Sequence, residues 1–161
     1  MKIVAFVGDS GSGKTRLVTR LVPELRKRGL SVSVIKHCAH GFDTGGKDKD
    51  SSRFLRAGAD GVALAAPGRW AVVKKTASAP RLADLARTQL RGSDIVLVEG
   101  GRAEKGLKKI EVLRRGRSEK AKTSKSELVA LVADFEAAGE VPTFHPNEVG
   151  PLADWLEGDF K

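Results

Sequence analysis

The stretch GDSGSGKT, residues 8–15, stands directly behind the apolar run KIVAFV, residues 2–7. It fits the pattern G-x-x-x-x-G-K-[ST], with Gly8, Gly13, Lys14 and Thr15 at the defining positions. A polyphosphate is a dense cluster of negative oxygens, and a loop holds it only when several backbone N–H groups turn inward. Such turns need conformations that side chains resist, which is why glycine recurs at Gly8, Gly11 and Gly13 among Asp9, Ser10 and Ser12. The helix expected from residue 14 adds its unpaired N–H groups and its dipole. Lys14 supplies a mobile positive charge for the β and γ phosphates, and the Thr15 hydroxyl is a natural Mg²⁺ ligand. The motif has false positives elsewhere. Here the required context is present, a buried strand before it and an amphipathic helix after it.

Working outward, Leu17, Val18, Leu21, Val22 and Leu25 recur at helical spacing, and Gly29 marks a stop. Pro23 predicts a kink in that helix. SVSVIK, residues 31–36, reads as a second strand, so strand, loop, helix and strand make a βαβ unit with a parallel pair. Residues 37–50 read as a polar, glycine-rich loop. SSRFLRAGA predicts a short helix capped by Ser51 or Asp50. GVALAA and WAVVKK predict two strands joined at PGR. PRLADLARTQL is an amphipathic helix, and DIVLVEG, residues 94–100, is a strongly apolar strand. KIEVLR, SELVALVAD and VPTF follow as strands, and NEVGPLADWL as a helix interrupted near Gly150 and Pro151. The fold class is α/β: a mostly parallel central sheet flanked by helices with some antiparallel strands. One domain is expected over residues 1–161.

A bound Mg²⁺ also needs a carboxylate. In a parallel α/β sheet, ligands gather at the carboxyl ends of strands, which favours Glu99 over Asp94. Asp43, Asp48 and Asp50, in the loop after the second strand, are further candidates for the metal shell. The VEGG strand end, residues 98–101, resembles dethiobiotin synthetase and its P-loop relatives, and that resemblance implies Thr15, Asp50 and Glu99 together as the Mg²⁺ ligands. His37 and His40 flank Cys38, but the chain has only three histidines and one cysteine, too few for a structural zinc site.

The net charge of +9 favours anionic partners. Residues 102–125 carry ten basic side chains against three glutamates, and read as a basic surface or lid. No aromatic side chain interrupts that run, so a nucleic-acid stacking platform is not expected. A single cysteine excludes an intrachain disulfide and agrees with a reducing compartment. No signal-peptide pattern and no apolar run of membrane length occurs, so the expected location is cytoplasmic.

Several stretches together resemble the molybdopterin-guanine dinucleotide biosynthesis adaptor family, MobB. They are FVGDSGSGKTRLVTRLVPELRKRG, VIKHCAHGFD, the KDS of Lys49–Ser51, AGAD at 57–60, RWA at 69–71, DIVLVEG, KIEVLR and the closing VGPLADWL. The resemblance implies a P-loop NTPase fold, binding of GTP with Mg²⁺, slow GTPase activity and a homodimer. It implies a role in attaching GMP to molybdopterin beside a MobA-type nucleotidyltransferase, so molybdopterin or its guanine dinucleotide is an expected partner. Gly8–Thr15 become the phosphate loop and Glu99 the Walker-B-like acid. Lys36, His37, His40, Asp43, Lys49, Asp50 and Ser51 face nucleotide or pterin. The chain departs from the family at Ala39, where many relatives carry histidine, at Lys47–Asp48, where they carry P-G, and at Gly101, where they carry an aromatic.

The residues themselves leave guanine or adenine open. The guanine signature N/T-K-x-D is absent, and Asp134 at the end of SELVALVAD is the candidate for guanine N–H groups. Lys14, Glu99 and Arg102 are the candidate catalytic groups, Arg102 as an arginine finger. An alternative is a small-molecule kinase in which residues 102–125 close as a basic lid over the γ-phosphate.

Overall fold

The computed structural model describes residues 1–39, 41–42 and 50–158. These form two compact units, Met1–His37 with Arg81–Lys161, and Cys38–Pro80.

In the first unit, strand β1 (Lys2–Val7) is buried from Val4 onward. Its alternation feeds two layers: Val4 and Phe6 join one apolar cluster, Ala5 and Val7 the other. After the glycine loop, helix α1 (Lys14–Lys27) buries Leu17, Val18, Leu21 and Leu25. The expected kink does not end the helix, which runs on through Pro23 to Lys27. A proline inside a helix costs about 3 kcal/mol, whereas each buried leucine returns roughly 1.5–3 kcal/mol, so three leucines outweigh it. At its end Gly29 N–H donates to Arg26 O and Leu30 N–H to Leu25 O, a Schellman turn that brings Leu30 onto the core.

Strand β2 (Val32–Lys36) follows. In the second unit come α2 (Asp50–Arg56), β3 (Gly61–Ala66) and β4 (Arg69–Lys74), the last two forming a two-stranded antiparallel sheet. The first unit resumes with α3 (Leu82–Gln89), β5 (Ile95–Glu99), β6 (Lys108–Val112), β7 (Leu128–Val132), β8 (Thr143–Phe144) and α4 (Val149–Glu157). Gly150 and Pro151 do not interrupt α4. They stand in its first turn, where the missing proline N–H would have no intrahelical partner.

The main sheet has the order β2-β5-β1-β6-β7-β8, and every pair in it is parallel. Helices α1 and α4 cover one face with Phe6, Leu97, Ile110 and Ala130 beneath them. Helix α3 covers the other through Leu82, Ala83 and Ala86, against Ala5, Val7, Val96 and Val98. With both faces covered, β5 is apolar and buried throughout until it ends at Glu99. The Lys2 ammonium donates to the carbonyls of Leu156, Glu157 and Gly158, tying the first strand to the end of the last helix. Strand β1 is central, and the chain passes to opposite sides of it, so its carboxyl end is where the strand order reverses.

Candidate functional site

The loop from Gly8 to Gly13 occupies that carboxyl end. Gly8 adopts φ +153°, and a Cβ there would lie 2.5 Å from the Val112 carbonyl oxygen, so strand β6 packs directly on the backbone. Gly11 adopts φ +73°, and its face is covered by the Arg117 guanidinium, 2.9 Å from where a Cβ would stand. Lys14 folds back over the loop, donating to Gly8 O at 2.9 Å and Asp9 O at 2.7 Å. It also lies 3.4 Å from the oxygen of the buried Ser12. Burial holds the Lys14 ammonium below the usual lysine range, helped by the charges of Lys36 and Arg102 and opposed by Glu99 and Asp9.

Thr15, the second residue of α1, donates its hydroxyl to Glu99 Oε1 at 2.6 Å. Parallel pairing makes this meeting possible. Phe6 of β1 is in register with Glu99 of β5, and Lys36 of β2 is in register with Glu99 from the other side. The Lys36 ammonium ion-pairs with the same Oε1. Glu99 is only 6% exposed. Burial pushes its carboxyl up, but the hydrogen bonds from Lys36 and Thr15 and the charges of Lys36 and Lys14 outweigh it. The group titrates below the usual glutamate range and is charged at neutral pH.

Ser10, Gly11, Gly13, Lys14, Thr15, Arg16, Lys36 and Glu99 line an open cleft of about 370 Å³. A smaller hollow of about 140 Å³ is lined by Ser12, Gly13, Arg16, Leu17, Leu113, Arg114, Asp134, Pro146 and Asn147. Gly13 and Arg16 border both, so the two hollows flank the head of α1. Asp134 sits at the rim of the smaller one and accepts the Arg115 N–H at 2.8 Å.

Part of the basic segment is folded onto the loop. Asp9 receives Arg102 at 3.4 Å and Lys122 at 2.7 Å. Arg102 also meets Glu111 at 2.6 Å, and Glu111 accepts the N–H groups of Lys122 and Thr123, both at 2.8 Å. Glu111 has no exposed surface. Burial pushes its carboxyl up, yet the N–H of Thr123 and the Arg102 guanidinium bring it below the usual range. Lys109, two residues earlier on β6, is 2% exposed. Its ammonium donates to the carbonyls of Arg102 and Glu104 and to Glu127. Residues 102–125 are therefore not a uniform solvated surface.

His37 continues from β2, its N–H donating to the Glu99 carbonyl at 2.9 Å, and its backbone packs on Gly100. Asp50 lies in the second unit, where it is exposed and pairs with Arg53 at 3.6 Å. His40, Asp43, Asp48 and Lys49 fall outside the described residues. Asp94 accepts the Ser31 N–H and hydroxyl at the start of the sheet. Among the described residues, no three His, Cys, Asp or Glu side chains cluster as a metal site, and no helix is long and apolar enough to cross a membrane. The oxygen pair of Thr15 and Glu99 nonetheless has the donor chemistry of a hard cation held partly by phosphates and water. Reading along the sequence missed Arg117 and Lys122 as partners of the loop, and Lys109 and Glu111 as the buried charges that hold Arg102. For Lys109 and Glu111 the alternation of charge with apolar residues in KIEV is the signal; for Arg117 and Lys122 the sequence carries none.

Set against known proteins, residues 3–134 match the family model for molybdopterin guanine dinucleotide synthesis protein B, MobB. A molybdopterin-guanine dinucleotide biosynthesis adapter protein from Haemophilus influenzae is 33% identical over 156 residues, covering 96% of this chain and 87% of the relative. The Escherichia coli protein of the same name is 32% identical over 160 residues, covering 96% and 90%. Among solved structures, a molybdopterin-guanine biosynthesis protein B superposes with a TM-score of 0.76 at 30% identity, covering 96% of this chain and 97% of that one. Bacillus subtilis MobB shares the fold with a TM-score of 0.74 at 24% identity, over 100% and 99% of the two chains.

Proposed function

This chain belongs to the MobB family, and on that premise we propose that it is an adapter in molybdopterin guanine dinucleotide biosynthesis that binds GTP with Mg²⁺ and hydrolyses it slowly. The observation that carries the nucleotide reading is the 2.6 Å bond between Thr15 and Glu99 at the mouth of a cleft that Lys14 and the loop glycines enclose. The triphosphate lies along the loop amides from Gly11 to Thr15 and against Lys14. Thr15 and Glu99 hold the cation, which neutralises phosphate charge. His37, directly after β2, is a further proposed contact. The base occupies the smaller hollow, where the Asp134 carboxylate and the groups of Asn147 offer the partners a guanine edge needs.

Arg102 is the proposed arginine finger. Glu111 and Asp9 hold it at the edge of the loop, and its charge is felt at Lys14. No glutamine stands beside Glu99 to orient water, and the chain's only glutamine, Gln89, ends α3. That fits weak hydrolysis. The kinase alternative draws less support, because Arg102, Lys109 and Lys122 of the supposed lid are engaged with the loop and β6.

The two-stranded sheet of the second unit supports the homodimer. Neither β3 nor β4 pairs with a third strand among the described residues, while Leu64, Trp70 and Val72 are exposed at 47%, 72% and 46%. An isolated hairpin is marginal in water, and a second copy of the same hairpin supplies both strands and apolar cover. The exposed basic side chains are the proposed face for a MobA-type nucleotidyltransferase or for the phosphate of molybdopterin. Calorimetry with GTP and ATP, each with and without Mg²⁺, tests the central reading. Tight, Mg²⁺-dependent GTP binding with weak ATP binding is expected, and equal or absent binding of both overturns it.

A further inference from the structure

Lys36 and Glu99 end neighbouring parallel strands in register, and the Lys36 ammonium reaches Glu99 Oε1. The same oxygen accepts the Thr15 hydroxyl. One carboxylate oxygen thus carries a hydroxyl and an ammonium at the spot where the proposed function seats a divalent cation. Glu99 is buried and charged, so its carboxylate needs a counterion. Lys36 meets that need while more than half its own side chain is exposed.

We infer that Lys36 is a resident counter-cation of the Thr15–Glu99 pair, which the divalent cation displaces and which then moves to the terminal phosphate of the nucleotide. The inference rests on the reading of the cleft as a Mg²⁺–nucleotide site. Two cations cannot share one carboxylate oxygen without strong repulsion. The ammonium is a compact charge on a flexible four-carbon stem with three donors, suited to leaving one anion for another nearby. Lys36 and Lys14 line the same cleft, so an oxygen of the terminal phosphate lies within the reach of that stem. A nucleoside triphosphate gives the displaced ammonium a new anion. A diphosphate, lacking the terminal group, does not. Lys36 therefore couples cation binding to the presence of the third phosphate, a specificity role separate from that of Lys14.

The test follows Mn²⁺ binding by electron paramagnetic resonance on the full chain, with GDP and with a non-hydrolysable GTP analogue. The parent is expected to half-saturate with Mn²⁺ at about tenfold lower concentration in the analogue complex than in the GDP complex. Lys36→Met should tighten Mn²⁺ binding in the GDP complex several-fold, about 5-fold, and erase the difference between nucleotides. Lys36→Arg keeps the charge on Glu99 and so the fold. It should weaken Mn²⁺ binding in both complexes, because the planar guanidinium grips a carboxylate with two N–H groups. Half-saturation within about twofold of the parent for both variants overturns the inference, as does equal weakening by Met in both complexes. A parent that binds neither nucleotide sinks the reading of the cleft itself, whatever the Lys36 variants do.

Discussion

The guanidinium of Arg102 lies 2.6 Å from the carboxylate of Glu111, a glutamate with no exposed surface. The arginine thus reaches the edge of the glycine loop from a buried anchor on β6. Glu111→Gln keeps the size and an acceptor for the Lys122 and Thr123 N–H groups but removes the charge. It should cost about 2 kcal/mol, read from urea unfolding midpoints, and Glu111→Ala should cost more. A midpoint unchanged in both variants would show that the contact does not stabilise the fold. If Arg102 acts on the nucleotide, Glu111→Gln should also slow phosphate release while leaving GTP affinity near that of the parent.

Acid should unfold the protein through these same carboxylates. Asp9, held down mainly by Lys122, titrates below its ordinary 3.8, and Glu99 and Glu111 titrate below their ordinary 4.5. Across that window the unfolded chain binds more protons than the folded one, so stability rises with pH there. The contribution is complete above 4.5 and is lost as pH falls through the lowered folded-state values. Thermal midpoints should be level from neutral pH down to about 5 and drop below about 4, with a shallower drop in Glu111→Gln. An equally steep drop in that variant would remove Glu111 from the explanation.

The loop glycines should differ sharply in tolerance. A Cβ at Gly8 would meet the Val112 carbonyl oxygen at 2.5 Å, and β6 is locked into the sheet. Gly8→Ala should therefore cost several kcal/mol, on the order of 3 or more, and leave little folded protein. At Gly11 the obstacle is the far end of the Arg117 side chain, which can swing away. The positive φ remains, so Gly11→Ala should cost only about 1–2 kcal/mol. Circular dichroism melts of the two variants decide this, and the reverse order would refute it.

Nucleotide binding should split along the two halves of the cleft. Lys14→Ala should weaken GTP at least ~100-fold, the loss of a charged contact to phosphate worth roughly 3 kcal/mol. Glu99→Gln should retain most of the affinity in the absence of metal and lose its enhancement by Mg²⁺. Calorimetry of both variants, each with and without Mg²⁺, reads the two effects. A Lys14→Ala protein that binds GTP as the parent does would remove the loop from the mechanism.

Trp70 is 72% exposed on β4, on a sheet of two strands. If a second copy covers that hairpin, Trp70→Glu should shift the mass found by light scattering from dimer to monomer. A parent already monomeric at tens of micromolar rules the interface out.

Much of this was legible in the sequence because it is local. The run from Lys2 to Gly29 announces strand, loop and helix by apolar period and glycine spacing, and the structure agrees at each boundary to within a residue or two. Glu99 was legible as the acid ending an apolar strand. Its contacts were not, because they depend on which strands are neighbours: β5 lies between β2 and β1, so register sets Lys36 beside Glu99, and the loop after β1 carries Thr15 back to the same oxygen. Lys109 and Glu111 were hidden for a related reason. In the sequence they are two more charges in a charged stretch, and only the fold shows them buried against Arg102, Glu104 and Glu127. Pro151 misled because position within a helix decides whether proline breaks it, and that position was not fixed by the local pattern.

The grip of Lys2 on the last turn of α4 has a consequence for synthesis. Val4 and Phe6 are roofed jointly by α1 and by Leu152, Ala153 and Leu156 of α4. Until residues 149–157 leave the ribosome, the nascent chain carries a glycine loop and an uncovered greasy trough side by side. Strand β1 can settle only when α4 arrives, so even a short truncation within residues 149–157 would leave it without its lid.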